Sequence, residues 1–288
     1  MGRAVSKQSS AGSWVAAVVV LVIVIVAGGY MAYRAMHPTA STTTAPATAS
    51  SAMAAPAAAP IRHPIAQAAA PASASTAPLP PLDDSDASVL SALEGLAGGQ
   101  DLKPLLMSQQ VIQRIVATVD ALPRHALGHS VLPVHAPKGT FAVTRANGAT
   151  VMDARNAARY APYMQLLEGM DTRALVDWYV HAYPLFQQAY RQLGYPKGYF
   201  NDRLIAVIDH LLATPELAQP AALAPVNGHY EYADPSLESL SVGQKMMLRA
   251  GPADEAAVKA KLRDVRAQLT GQELPSSKPV SSTQPLSK

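Results

Sequence analysis

The chain has 288 residues, a formal charge of +3 and no cysteine, which excludes disulfides and every cysteine-based zinc or redox site. The positive balance belongs to the ends. Residues 83–270 carry 17 Lys plus Arg against 19 Asp plus Glu, a net −2, so a sequence pI near 9.0 gives no support to nucleic-acid binding.

Residues 1–13 hold Arg3 and Lys7 and no acid, and residues 14–33 (WVAAVVVLVIVIVAGGYMAY) hold no side chain charged at neutral pH. As a helix that second stretch would extend about 30 Å, the thickness of a bilayer core. Trp14 at one end and Tyr30 and Tyr33 at the other suit the two interfaces, and the basic flank predicts a cytoplasmic N-terminus. The expectation is a single-pass inner-membrane protein with its C-terminal domain in the periplasm. A signal peptide cleaved near Val26-Ala27-Gly28 is the competing reading, but the apolar run outlasts the usual 7–15 residues. Residues 34–82 are almost wholly Ala, Pro, Ser and Thr, with too little large apolar surface to offset ordering, and read as a disordered tether without specific contacts.

Composition changes at Leu79-Pro80-Pro81-Leu82-Asp83-Asp84-Ser85-Asp86. Residues 83–270 predict a globular, mainly helical domain. Asp84 or Ser85 would cap a first helix (Val89, Leu90, Leu93, Leu96), and a second begins near Ser108 with Val111, Ile112, Ile115, Val116, Val119 and Leu122 on one face. The acids Asp83, Asp84 and Asp86 favour a helix N-terminus more than a cation site. His125, His129 and His135 share a loop with no acid among them, and nothing calls for a metal or a cofactor. Asn147-Gly148 between alternating runs predicts one β-hairpin near 140–152, since both central residues of a type I′ turn need positive φ.

Helices then resume. One covers Asn156 to Glu168, and Asp171 caps a longer one bearing Leu175, Trp178, Tyr179, Phe186 and Tyr190. Pro184 falls inside that helix and predicts a kink. Asn201 is expected to cap the next (Leu204, Val207, Ile208, Leu211), and a short strand is expected over His229–Tyr232. Ser241 caps a further helix, and the last one turns Val258, Leu262, Val265 and Leu269 inward while Lys259, Lys261, Arg263 and Arg266 form a solvated face. Residues 271–288, rich in Ser and Pro, read as a disordered tail.

The stretch YPLFQQAYRQLGYPKGYFNDRLIAVIDHLLATPE (Tyr183 to Glu216), with LPPLDDSD, IVATVDALPR and YEYADPSLESLSVGQKMMLRAG, resembles a family of bacterial membrane-anchored proteins known as domain of unknown function 3014. The resemblance runs from Leu79 to about Leu269, with Ala250 where that family more often has Met. It implies one domain and an envelope location, and it transfers no catalytic residue.

Candidate functional residues are drawn from loops and from one helix. Tyr195, Tyr199 and Phe200 flank the Lys197-Gly198 turn and Tyr230 and Tyr232 flank Asn227-Gly228, where rings are free to bind a sugar or a peptide. Asp202, Arg203, Asp209 and His210 supply polar groups beside them. Asp202 and Asp209 stand seven residues apart on one helical face, a spacing that would suit an acid and base pair, though dipole and ion-pair roles explain both more simply. The leading functional expectation is a non-enzymatic module gripping an envelope protein. The alternatives are glycan or peptidoglycan binding through the loop tyrosines, and a polymer hydrolase using Asp202 and Asp209.

Overall fold

A computed structural model describes residues 60–65, 78–128, 131–227 and 229–271. The predicted span at 14–33 and the tail beyond 271 lie outside them. Among the described residues no helix is long and apolar enough to cross a membrane.

The domain is mainly helical. In chain order it has α1 (Asp86–Leu96), α2 (Val111–Ala121), a hairpin β1 (Val143–Ala146) and β2 (Ala149–Met152), α3 (Ala157–Gly169), α4 (Thr172–Gln192) and α5 (Phe200–Leu212). A second hairpin, β3 (Leu223–Val226) and β4 (His229–Tyr232), precedes the short α6 (Pro235–Glu238), α7 (Val242–Ala250) and α8 (Pro252–Thr270). Both hairpins are antiparallel, pairing Val143 with Met152 and Leu223 with Tyr232, and a bridge between Val151 and Ala222 joins them. The expectation of a single hairpin is thus corrected to two. Asn227, after β3, adopts φ 46, as Asn147 adopts φ 51 in the Asn-Gly turn of the first hairpin. Pro225 in β3 disguised the second in the sequence, since proline argues against a strand unless the strand is an edge.

Helix α2 lies against α4 and α5, and α8 lies against α3, α4, α5 and α7. Their facing stripes meet in one core: Ile112, Ile115 and Val119 from α2, Tyr179 and Phe186 from α4, Leu204 and Ile208 from α5, and Val258, Leu262 and Val265 from α8 are all buried. A smaller cluster of Leu223, Tyr232 and Leu248 holds the hairpins on α7.

Local polar groups set the helix ends. Asp171 and Ser241 cap α4 and α7 as expected, the latter in a capping box with Gln244. Asp86 does more than meet its own helix dipole. Its carboxylate accepts the N–H groups of Gln110 (2.7 Å) and Val111 (2.8 Å) and so caps α2 from α1. The second helix therefore starts at Val111 rather than Ser108, behind Gln110 at φ 56. Asn201 is not a cap, because α5 begins at Phe200 and Asn201 is buried within its first turn. The solvated cationic face expected on α8 is corrected for three of its four residues, Arg263 remaining exposed. Lys259 is 2% exposed, paired with Glu255 at 2.8 Å and donating to Thr214 O. Lys261 donates to Met170 O, and Arg266 pairs with Asp209.

The start of α7 docks closely on the end of α2, where Val242 N donates to Arg124 O (2.7 Å) and Gly243 N to Leu122 O (3.0 Å). A Cβ on Gly243 would lie 2.8 Å from Leu211 Cδ2 and 3.0 Å from Leu122 O. Such overpacking costs about 1–3 kcal/mol, which outweighs the ~1 kcal/mol by which a helix prefers Ala to Gly. Gly243→Ala is therefore expected to lower the urea midpoint of the domain, whereas helix propensity alone would raise it.

Candidate functional site

The turn from α4 to α5 and the first residues of α5 gather most of the polar chemistry. Gln187 sets the turn. Its Nε2 donates to Gly198 O (2.8 Å), and its Oε1 accepts from Phe200 N (2.9 Å) and from the Tyr183 hydroxyl (2.8 Å). Gly198 passes so near the Tyr190 ring that a Cβ there would sit 2.9 Å from Tyr190 Cε1. The Tyr195 ring stacks on Tyr190 at 4.6 Å between centroids and 16° between planes.

Beneath this turn lies Asp120 of α2, 3% exposed. Its carboxylate is ion-paired with Arg124 and, at 3.0 Å, with Arg203 Nε, and it accepts the Tyr195 hydroxyl at 3.1 Å. Arg203 Nη2 donates as well to the Asp120 main-chain oxygen at 2.7 Å. One buried carboxylate thus fixes the end of α2, the turn and the first turn of α5. Burial pushes the Tyr190 hydroxyl pKa up to about 12, and the Asp120 carboxylate adds to the shift.

The next two side chains face a different partner. Asp202 accepts the main-chain N–H groups of Arg62 (3.0 Å) and His63 (2.7 Å), and Asn201 Nδ2 donates to His63 O (2.9 Å). Asn201 Oδ1 accepts the Tyr179 hydroxyl, which holds the amide in that orientation. Ile65 rests half-buried against the main core. The stretch 60–65, expected to belong to a contact-free tether, is therefore held by its backbone on the α5 N-terminal turn. Two N–H groups and one C=O of consecutive residues are matched by one carboxylate and one amide, a set that reads main chain and not side chains.

The other expected residues divide among separate places. Phe200 is fully buried, stacked at 5.6 Å and 12° on Phe186. Tyr199, half-buried, precedes α5, and its side chain accepts no capping N–H. Asp209 lies beyond the first turn on α5 and accepts from Nε and Nη2 of Arg266. Asp202 and Asp209 are thus each committed to a different partner. His210 Nε2 lies 2.8 Å from Ser241 Oγ, which already accepts Gln244 N–H, so the serine proton is available to the imidazole. Tyr230 is half-buried beside Phe141 at 6.2 Å, and Tyr232 is buried under the Arg249 guanidinium. Of the five loop rings, two are buried and Tyr195 spends a face on Tyr190, so they do not form a ring-lined platform. Of the three loop histidines His129 lies outside the described residues, and among the described ones no three His, Asp or Glu side chains gather in metal-binding geometry.

Asp120 and Gln187 escaped the sequence reading. A signal existed for the first: Asp120 follows Val116 by four residues on an otherwise apolar stripe, with Arg124 four further on.

The described architecture, a helical bundle carrying two small hairpins with a polar knot at one helix N-terminus, defines a class of compact α-rich domain. Residues 111–266 match the family model described as a protein of unknown function (DUF3014), and the chain belongs to that family. No curated protein and no solved structure matches it.

Asp120→Ala would leave Arg203, whose side chain is 29% exposed, without its anion. The expected loss is about 2–3 kcal/mol, at or below the low end for a broken buried pair because Arg203 retains some solvent. Arg124→Ala should cost under about 1 kcal/mol, since that guanidinium is 57% exposed. Urea unfolding of the two variants checks the order.

His210 contributes a pH dependence. Its pKa is lowered from the ordinary 6.5, first by burial and then by the Arg203 charge. The unfolded chain therefore binds the proton more readily than the folded one. The stabilising term is complete above about pH 6.5, and it declines as pH falls from there toward the folded-state pKa. The urea midpoint is expected to drop across that window in the parent and to drop less in His210→Gln.

Proposed function

We propose that the protein is a membrane-tethered, non-enzymatic interaction module whose helical domain holds extended peptide segments by their main chain. The observation that carries this reading is the seating of Arg62 and His63 on Asn201 and Asp202. Every group in the contact recognises a peptide bond, so a partner segment could use it regardless of most of its side chains. The chain's own segment is the resident occupant. The periplasmic setting follows from the apolar run at 14–33 and its basic flank, and it belongs to the proposal.

Docking at 60–65 also limits how far the domain stands from its anchor. Between residue 33 and the docked segment, residues 34–59 span about 80 Å at the polyproline rise of roughly 3.1 Å each. Releasing the segment extends that reach, so exchange of the resident peptide for a partner's would couple binding to distance.

The test uses the full-length chain with His63→Pro, which removes one of the N–H groups that Asp202 accepts. A labelled peptide of residues 59–66 is then titrated in. It is expected to bind this variant, to bind the parent far more weakly because the tethered copy competes at high effective concentration, and to lose about tenfold or more when Asp202→Asn is added. No binding to the His63→Pro chain, or binding indifferent to Asp202, would overturn the peptide grip. Sedimentation with peptidoglycan that Tyr199→Ala abolishes would favour the glycan reading instead.

A further inference from the structure

A cavity of about 360 Å³ lies away from the α5 turn, between the two hairpins and the junction of α7 with α8. None of Asp120, Asn201, Asp202 or Arg203 lines it. Its walls are mostly apolar, with Phe141, Met152, Leu217, Leu223 and Leu248 among them, a size and character suited to a small organic ligand.

The charged groups around it are unequal. Asp153 accepts from Nε and Nη2 of Arg155, and Glu255 is paired with Lys259. Arg249 donates to Tyr230 O and covers the Tyr232 ring. Asp254 differs: its Oδ2 is buried with no hydrogen-bond partner among the described residues, as is Glu255 Oε1, but only the latter has a cation at 2.8 Å, Lys259. The charged neighbour that acts on it most is another carboxylate, Glu168, and together with burial this raises its pKa. Each other carboxylate on the wall has its own cation, and Asp254 has a like charge beside it.

We propose that this cavity is a binding site for a small amphipathic amine. The apolar walls take the hydrocarbon or aromatic body, and Asp254 takes the ammonium group. An alcohol could satisfy the same oxygen as a donor but would not relieve the repulsion with Glu168. A carboxylate-bearing ligand would add to it. Charge therefore selects among ligands that fit equally well by shape.

The experiment is calorimetric titration of the full-length chain with 2-phenylethylamine, 2-phenylethanol and 3-phenylpropanoate, three probes of similar body and different head. The amine should bind saturably at one site, and the alcohol and acid at least about tenfold more weakly. Asp254→Asn should weaken the amine by a similar factor. Ala157→Trp, an exposed position on the cavity wall, should abolish binding by filling the space without touching the core. Circular dichroism confirms that both variants fold. Absence of saturable amine binding, equal affinity for alcohol and amine, or amine binding unchanged in Asp254→Asn would each overturn the proposal. None of these outcomes depends on Asp202, so the result stands apart from the peptide grip.

Discussion

The Asp120 carboxylate is the constraint on which the candidate site depends. A charge that is 3% exposed is costly to bury unless its lone pairs are filled, and here two guanidinium groups and a tyrosine hydroxyl fill them. The partners come from three places in the chain: Arg124 after α2, Tyr195 in the turn and Arg203 in α5. Satisfying one anion therefore dictates how the α4–α5 turn sits on α2. Gln187 closes the same turn from the other side through its contacts with Gly198 and Phe200. With both ends held, the first turn of α5 is fixed in place, and Asn201 and Asp202 meet segment 60–65 as an oriented pair.

That rigidity explains why a short segment suffices as an occupant. A carboxylate already oriented by its helix, accepting two successive N–H groups, loses little further freedom when peptide arrives, and the Asn201 amide is pre-set by Tyr179. The hairpin cavity works by another principle. It offers apolar area and one unmatched charge, so shape admits the ligand and charge sorts it. The two proposed sites share the α-helical scaffold but use different residues, so occupation of one is expected to leave the other unchanged.

Much of the helical architecture was legible because it rests on local periodicity. The stripes of α2, α5 and α8 repeat at three and four residues, and Asp171, Ser241 and Asn147-Gly148 mark ends and a turn by their own chemistry. What escaped depends on distant partners. Asp86 capping α2 across 24 and 25 residues, Lys259 buried on Glu255 and Thr214, and Asn201 turned toward His63 leave no trace in spacing. The second hairpin was obscured by Pro225, which an edge strand tolerates. Asp202 and Arg203 were singled out for their charge, but their roles follow from which neighbour each meets. Within the low-complexity stretch 34–82 the docking of residues 60–65 was hidden for the same reason, since a contact made through backbone has no side-chain signature.

The central claim is that the main chain at Arg62 and His63 is held by Asp202 in the intact protein. Amide hydrogen exchange of the full-length chain measures it directly at those two N–H groups. The account predicts slowed exchange at Arg62 and His63 in the parent, and rates near those of an unstructured peptide in Asp202→Asn with the rest of the domain unchanged. Unprotected amides in the parent, or protection that survives Asp202→Asn, would contradict it.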